Sequence, residues 1–367
     1  MKLSHFEAFA PLCPICTQKG EGSRLDLTRR DLVEGELVVH GMLTCVAGAC
    51  QAEYPIVDGV PILLANAREY IASQHLSLTR RTDLPAAMDS TLAECAGPGS
   101  WDDVIRQHLS SAMWDHYGDW DEPAAPAGAV PGAVARLVGR AAELGGVCTS
   151  GPVLDIGCGV GRSSFELSSR GSGLVLGIDM HGAMTRAAQQ VLRTGRVGYY
   201  RRSMGLLYEH REFEVELPAG ASRVDFWIMD ACNPCLAASS FGGVCCLNVL
   251  DCVPVPMLLL ARISELLAAG GRAAIATPFD WSANVTPLET WIGGHSPRGA
   301  FGGKSDELLA ALLTPGAHPV AIEGLRLIAD ERKVPWHVRL HNRALMRYEV
   351  QMVVAEKFVA TGHSATA

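Results

Sequence analysis

Short apolar runs alternate with segments of helical period between residues 153 and 276. Five such runs are short and are followed by polar residues or turn formers: one that begins at Val153, and those over 174–178, 224–229, 243–247 and 272–276. The stretches 181–192 and 255–267 have helical spacing. Strands that alternate with helices predict an α/β fold with a mostly parallel, doubly wound sheet.

The regions on either side of this pattern complete the predicted fold. Residues 133–144 predict a helix before the first strand. Segments 321–328 and 348–355 alternate, and we expect them to close the sheet as an antiparallel pair. Residues 195–222 interrupt the rhythm of strands and helices, and we interpret them as an inserted hairpin or lid.

A glycine-rich turn follows the first strand. Asp155 ends the apolar run, Gly157, Gly159 and Gly161 alternate after it, and the next strand ends at Asp179. Glycines let a backbone approach a ligand closely, and a carboxylate at the second strand end can accept ribose hydroxyls. A dinucleotide fingerprint would place its third glycine where Arg162 stands. The pattern therefore indicates a nucleoside site, and an ordinary glycine-rich α/β turn remains the alternative.

The D-x-G-x-G-x-G form of this turn resembles the first motif of class I S-adenosylmethionine-dependent methyltransferases. That resemblance implies a Rossmann-like seven-stranded sheet, a methyltransferase activity (EC 2.1.1) and S-adenosylmethionine as cofactor. In that class, an acid after the third strand commonly accepts from the adenine amino group, and Asp230 occupies this position. The implied cofactor-binding residues are Asp155, Gly157, Cys158, Gly159, Gly161, Arg162, Asp179, Met180, Asp230, Ala231 and Asn248.

Two cysteine pairs near the start predict a metal site. Cys13 and Cys16 form the first pair, and Cys45 and Cys50 form the second. Four thiolates can bind one tetrahedral zinc and leave no open position, so such a site is structural. A module of about fifty residues gains stability from a metal because it can hardly build its own core. The alternative is a zinc-ribbon remnant that packing alone stabilises.

The cysteine pairs and the ending at residues 54–64 (YPIVDGVPILL) together resemble the small zinc-binding Trm112-like family over about residues 8–65. Members of that family act as partners or activators of methyltransferases. The second pair has four intervening residues, whereas the family usually has two. We therefore expect a Trm112-like domain over 1–65, a helical region and linker over 66–132, a methyltransferase domain over 133–358 with an insert at about 195–222, and a flexible tail over 359–367.

Composition narrows the function classes. The 367 residues are 48% hydrophobic, and their formal net charge is −8, so a broad nucleic-acid surface is not indicated. No run of apolar residues is long enough to predict a membrane span. The start lacks the layout of a signal peptide, which predicts a cytoplasmic protein whose twelve cysteines are thiols or metal ligands.

Later segments resemble two families that methylate imidazole nitrogens. Residues 248–251, 277–287 and 291–294 look like the methyltransferase domain associated with ovothiol synthesis, and residues 334–349 are similar to the closing segment of carnosine N-methyltransferases. These resemblances imply N-methylation of a small imidazole-containing or amino-acid-like metabolite. Asp251 matches the acidic position of both families.

A carboxylate that accepts the imidazole N–H would fix the tautomer, aim the other nitrogen at the methyl group and stabilise the imidazolium that forms. We expect Asp251 to do this, with Tyr348 lining the pocket. The expected substrate-binding residues are Trp281, Trp291, His341 and Arg347. The structural alternatives are that Asp251 caps the next helix, that the aromatic rings only pack, and that the basic residues face solvent.

The aromatic and polar cluster at residues 114–120 allows two interpretations: it closes over a ligand, or it is a packing cap. At the level of function, two further hypotheses stay open. One is methylation of RNA or protein with the zinc module as a docking element, and the other is a silent cofactor-binding scaffold.

Overall fold

The computed structural model describes residues 1–79, 84–121, 128–146 and 151–358, and the predicted tail at 359–367 lies outside them. The strands are β1 Leu25–Glu34, β2 Leu37–Cys45, β3 Glu53–Val57, β4 Val60–Leu63, β5 Val153–Ile156, β6 Val175–Asp179, β7 Arg196–Met204, β8 Leu207–Glu214, β9 Val224–Met229, β10 Phe241–Leu247, β11 Leu267–Thr277, β12 Leu325–His341 and β13 Ala344–Lys357. The α-helices are α1 Leu3–Phe9, α2 Pro14–Gln18, α3 Ala67–Ser73, α4 His75–Thr79, α5 Ala86–Ala96, α6 Trp101–Tyr117, α7 Ala133–Glu143, α8 Arg162–Arg170, α9 Gly182–Thr194, α10 Pro256–Leu266 and α11 Ser305–Leu312.

A large mixed sheet organises the fold, in the order β1-β2-β3-β4-β9-β6-β5-β10-β11-β13-β12. Strands β9, β6, β5, β10 and β11 are parallel, and β13 pairs antiparallel with both β11 and β12. Strands β5 and β9 are buried along their whole length, as expected for parallel strands covered on both faces. The seven strands from β9 to β12 confirm the predicted Rossmann-like sheet and its antiparallel closure.

The N-terminal strands continue this sheet. Strand β4 pairs in parallel with β9, where Ile62 aligns with Ile228 and Leu63 with Met229. The ring of Phe9 stacks on Phe241, with centroids 5.3 Å apart. The boundary expected at residue 65 falls just after β4. Because β4 pairs with β9, the regions on the two sides of this boundary share one sheet, and they also share one hydrophobic core.

The insert forms the predicted hairpin, because β7 and β8 pair antiparallel as a separate two-stranded sheet. It packs on α6, where Ser110 Oγ accepts a hydrogen bond of 2.8 Å from the Arg202 N–H. The predicted linker lies partly outside the described residues, at 122–127. Within the described ranges, no helix has the length and apolar character needed to cross a membrane.

Candidate cofactor and acceptor site

The glycine turn lies between β5 and α8, at the carboxyl end of the parallel strands. Gly157 has φ +71°, and a Cβ on it would lie 2.2 Å from Cγ2 of Val249. A Cβ on Gly161 would lie 2.8 Å from Cζ of Phe226. Both the backbone conformation and the neighbouring side chains therefore require glycine in this turn.

Asp155, near the end of β5, connects this strand to the start of α8. Its carboxylate is buried and accepts hydrogen bonds of 2.6 Å from the hydroxyls of Ser163 and Ser164. Burial raises the pKa of Asp155 to about 6, although the two hydroxyls stabilise its charged form. Cys158 is fully buried beside it. These two predicted cofactor residues thus hold the strand and the helix in place rather than presenting polar groups at the surface.

Asp179 ends β6 directly beside the turn. Its Oδ2 accepts a 2.9 Å hydrogen bond from the Gly159 N–H, and its Oδ1 accepts one of 2.7 Å from the His181 N–H. The next residue, Met180, has a side chain that is 46% exposed, and its carbonyl accepts from the Tyr70 hydroxyl at 2.8 Å. The strand end therefore offers a carboxylate and a free apolar surface, which suit a ribose and a base.

The carboxyl ends of two further strands, β9 and β10, lie at the same edge of the sheet. Asp230 and Ala231 follow β9, and Asp230 Oδ1 accepts from the Cys232 N–H at 2.8 Å. Asn248 follows β10 with φ +58°, and its side-chain oxygen is buried with no partner in the described part of the chain. A buried acceptor without a donor, beside a turn that a Cβ would obstruct, fits a nucleoside cofactor that donates hydrogen bonds.

His116 belongs to the 114–120 cluster but was not among the individually predicted cofactor residues. Its Nδ1 accepts a 3.2 Å hydrogen bond from the Arg162 N–H at the start of α8. Burial and the neighbouring Arg162 lower the pKa of His116 to about 3, so the ring is neutral and its proton is on Nε2. That nitrogen lies 3.0 Å from the place where a Cβ on Gly159 would be. His116 therefore presents an N–H beside the glycine turn.

The 114–120 cluster packs on the same turn. Tyr117 donates a 2.7 Å hydrogen bond to the carbonyl of Val160. The guanidinium of Arg162 lies 3.8 Å from the centre of the Trp120 ring and pairs with Asp119 and Glu166. Arg162, a predicted cofactor residue, thus uses its side chain to join α8 to the segment that follows α6.

Asp251 lies in a short turn after β10 and is 1% exposed. Its Oδ2 accepts a 2.7 Å hydrogen bond from the Asp280 N–H, and its carbonyl accepts from the Ser282 N–H. Burial raises the pKa of its carboxyl group. The next helix begins after Val255 without a side-chain cap, so Asp251 holds the 280–282 segment rather than capping α10.

Asp280 connects the two residues that were predicted to be catalytic. The hydroxyl of Tyr348 donates a 2.8 Å hydrogen bond to Asp280 Oδ2, while the Asp280 N–H bonds to Asp251. Asp280 is exposed, whereas Asp251 is not. The Tyr348 ring lies beside Trp336, with centroids 5.6 Å apart. The structure therefore brings Asp251 and Tyr348 together around a third, accessible carboxylate.

The side chains of the other predicted acceptor residues make different contacts. Trp281 and Trp291 stack on each other, with centroids 5.5 Å apart, and the Trp291 N–H bonds to the carbonyl of Thr286. The ring of His341 accepts from the Arg343 N–H in the β12–β13 turn. Arg347 is exposed and precedes Tyr348 on β13, so it lies on the opposite face of that strand.

The four N-terminal cysteines converge as predicted. All four Sγ atoms lie within 4.8 Å of one another. The Cys13–Cys50 and Cys16–Cys45 sulfur distances are 3.8 and 3.7 Å. A tetrahedron with metal–sulfur bonds of about 2.3 Å has sulfur–sulfur edges of about 3.8 Å. The cysteines therefore fit one tetrahedral ion in spite of the widened second pair.

Comparison with known proteins identifies the α/β region. Residues 154–275 match a family described as "Methyltransferase domain". No curated protein matches the chain significantly. Phosphoethanolamine N-methyltransferase 2 from Haemonchus contortus, solved with S-adenosyl-L-methionine, is 19% identical, with 47% of this chain and 35% of that chain covered at a TM-score of 0.31.

Two further solved structures are similar in part. A SAM-dependent methyltransferase from Methanosarcina mazei is 20% identical, with 57% of this chain and 92% of that chain covered at a TM-score of 0.33. A putative sarcosine dimethylglycine methyltransferase from Galdieria sulphuraria is 10% identical, with coverages of 62% and 85% and a TM-score of 0.38.

Proposed function

We propose that this chain, an S-adenosylmethionine-dependent methyltransferase, methylates a nitrogen of a small imidazole-containing or amino-acid-like metabolite. The observation that carries the proposal is the accessible Asp280 carboxylate, which is joined to Tyr348 through its side chain and to Asp251 through its backbone. The resemblance of residues 248–251 and 334–349 to imidazole N-methyltransferases supports the same acceptor class.

The glycine turn and the strand ends would hold the cofactor. Asp179 would accept from the ribose hydroxyls, the Asn248 side-chain oxygen would accept from a donor of the cofactor, and His116 Nε2–H would donate to it. When bound, S-adenosylmethionine supplies a methyl group on a positively charged sulfur. Because methyl transfer is an in-line displacement, the main task of the protein is to place the acceptor nitrogen opposite that sulfur.

Asp280 would perform this task. Its carboxylate would accept the N–H of a neutral imidazole, which leaves the lone pair of the other nitrogen free for the methyl group. As positive charge develops on the ring, the carboxylate stabilises it and then takes up the proton. Tyr348 would fix one carboxylate oxygen. Asp251 would act as a positioning residue, since its carboxylate bonds to the backbone that carries Asp280.

Asp280→Asn is expected to lower kcat/KM for imidazole acceptors about 100-fold or more, because an amide can accept the N–H but cannot stabilise the imidazolium or take its proton. The affinity for S-adenosylmethionine should change by less than about threefold. Steady-state rates with labelled cofactor and calorimetric titration of the cofactor measure the two effects.

The matched control is Glu349→Gln, which removes a carboxylate from an exposed position next to Tyr348 in sequence and on the other face of β13. It should leave kcat/KM unchanged. Equal losses in the two variants, or full activity in Asp280→Asn, would reject the proposed role of Asp280.

A further inference from the structure

We propose that helix α6 couples the cofactor site to the acceptor site, with Asp115 and Trp336 as the positioning pair that transmits the coupling. The proposal rests on the proposed function only in taking Trp336, Tyr348 and Asp280 as the wall of the acceptor site, named here the acceptor wall. The coupling itself follows from the contacts of one turn of α6.

Three consecutive residues of α6 contact two different parts of the protein. His116 and Tyr117 bond to the glycine turn through the Arg162 N–H and the Val160 carbonyl. Asp115 points to β12 instead, where both of its carboxylate oxygens lie 2.8 Å from Nε1 of Trp336. A displacement of this helical turn therefore reaches the glycine turn and β12 together.

The Asp115–Trp336 contact is not a loose surface contact. Asp115 is 5% exposed, and burial raises the pKa of its carboxyl group to about 7, while the Trp336 N–H stabilises the charged form. A buried carboxylate that loses its donor bears the full desolvation penalty of an unsatisfied charged group. Trp336 is therefore strongly favoured in the orientation that Asp115 sets.

The orientation of Trp336 affects the other two residues of the acceptor wall. It lies opposite Tyr348 in the β12–β13 register, and the two rings are in contact. Tyr348 in turn holds the Asp280 carboxylate. A chain of direct contacts thus runs from the glycine turn through His116 and Asp115 to the carboxylate proposed to bind the acceptor. We infer that cofactor binding orders the acceptor wall, so the acceptor binds more tightly after the cofactor.

Hydrogen exchange tests this coupling without an acceptor, with S-adenosylhomocysteine as the probe. In the wild-type protein, saturating S-adenosylhomocysteine should slow amide exchange in residues 334–349 by about fivefold or more. A factor of about five is the lower end of the coupling factors that are typical between two sites. Exchange in residues 157–162 should slow as well, because the ligand contacts this turn directly.

Trp336→Phe removes the indole N–H but keeps an aromatic ring opposite Tyr348. In this variant the slowing at 334–349 should fall below about twofold, while the slowing at 157–162 persists. Asp115→Ala, which removes the acceptor of that N–H without adding bulk at a buried position, should give the same result and carries the test if Trp336→Phe does not fold. Trp101→Phe is the matched control, since Trp101 is the first residue of α6, at the opposite end of the helix from Asp115, and it should behave like the wild type.

Slowing at 334–349 that survives in both variants, or its absence in the wild type, would overturn the coupling. Because no acceptor is present, neither result bears on which molecule is methylated. Conversely, failure of imidazole compounds as acceptors would leave the exchange result intact. The two proposals therefore fail separately.

Discussion

Gly157→Ala is expected to weaken S-adenosylmethionine binding by about 30-fold or more. The new Cβ would lie 2.2 Å from Val249 Cγ2, at a residue whose φ is +71°. The left-handed conformation costs a residue with a Cβ about 1–2 kcal/mol, and overpacking adds about 1–3 kcal/mol. To relieve the clash with Val249, the turn would have to move away from the end of β10. That movement would separate the turn from Asn248, and the cofactor is proposed to bind both. Calorimetric titration with S-adenosylmethionine measures the loss.

Gly198→Ala is the matched control, because a Cβ on Gly198 in the inserted hairpin would meet nothing within 4 Å. It should bind the cofactor like the wild type. If Gly157→Ala also binds like the wild type while remaining folded, the glycine turn is not the cofactor cradle.

Cys16→Ser is expected to abolish zinc binding and to lower the free energy of unfolding by several kcal/mol. Cys16 is 1% exposed, and its sulfur lies 3.7 Å from that of Cys45. Structural zinc sites contribute about 10–16 kcal/mol of apparent binding free energy, part of which is lost with one ligand. The effect should extend beyond the N-terminal region, since the Leu12 N–H bonds to the Cys235 carbonyl at 2.9 Å and β4 belongs to the central sheet.

Zinc content by elemental analysis and urea unfolding followed by circular dichroism measure these effects. Cys95→Ser replaces an exposed cysteine of α5 and should leave both quantities unchanged. Wild-type protein that is produced with zinc available and yet holds none would contradict a zinc site at these cysteines.

The central strands could be predicted because parallel strands that are buried on both faces appear in the sequence as short, continuous apolar runs. The run 224–229 coincides with β9, and the glycine pattern after Val153 coincides with the turn before α8. The apolar residues of β4 were equally visible in the sequence. Their pairing with β9 was not, because a parallel pair joins segments more than 150 residues apart.

The side-chain partners of the site were harder to predict than its location. Asp280 follows Phe279, whose φ of +56° turns the chain so that the Asp280 N–H reaches Asp251. No local sequence pattern predicts a positive φ at Phe279. Arg162 was predicted as a cofactor residue from its place after the glycine pattern, whereas its guanidinium pairs with Asp119, a distant residue of the cluster that packs on the turn. The sequence marked the cluster that contains His116 but not the contact of its ring with the Arg162 N–H, because the two residues are distant in sequence.

The most direct test of the proposed acceptor class supplies the enzyme with methyl-labelled S-adenosylmethionine and a cell extract separated into small molecules, RNA and protein. We predict that label enters the small-molecule fraction as an N-methylimidazole compound, and that Asp280→Asn removes most of it. Label confined to RNA or protein would contradict the proposal of a small-molecule acceptor. It would favour a macromolecular acceptor, with the N-terminal four-cysteine region as the docking element.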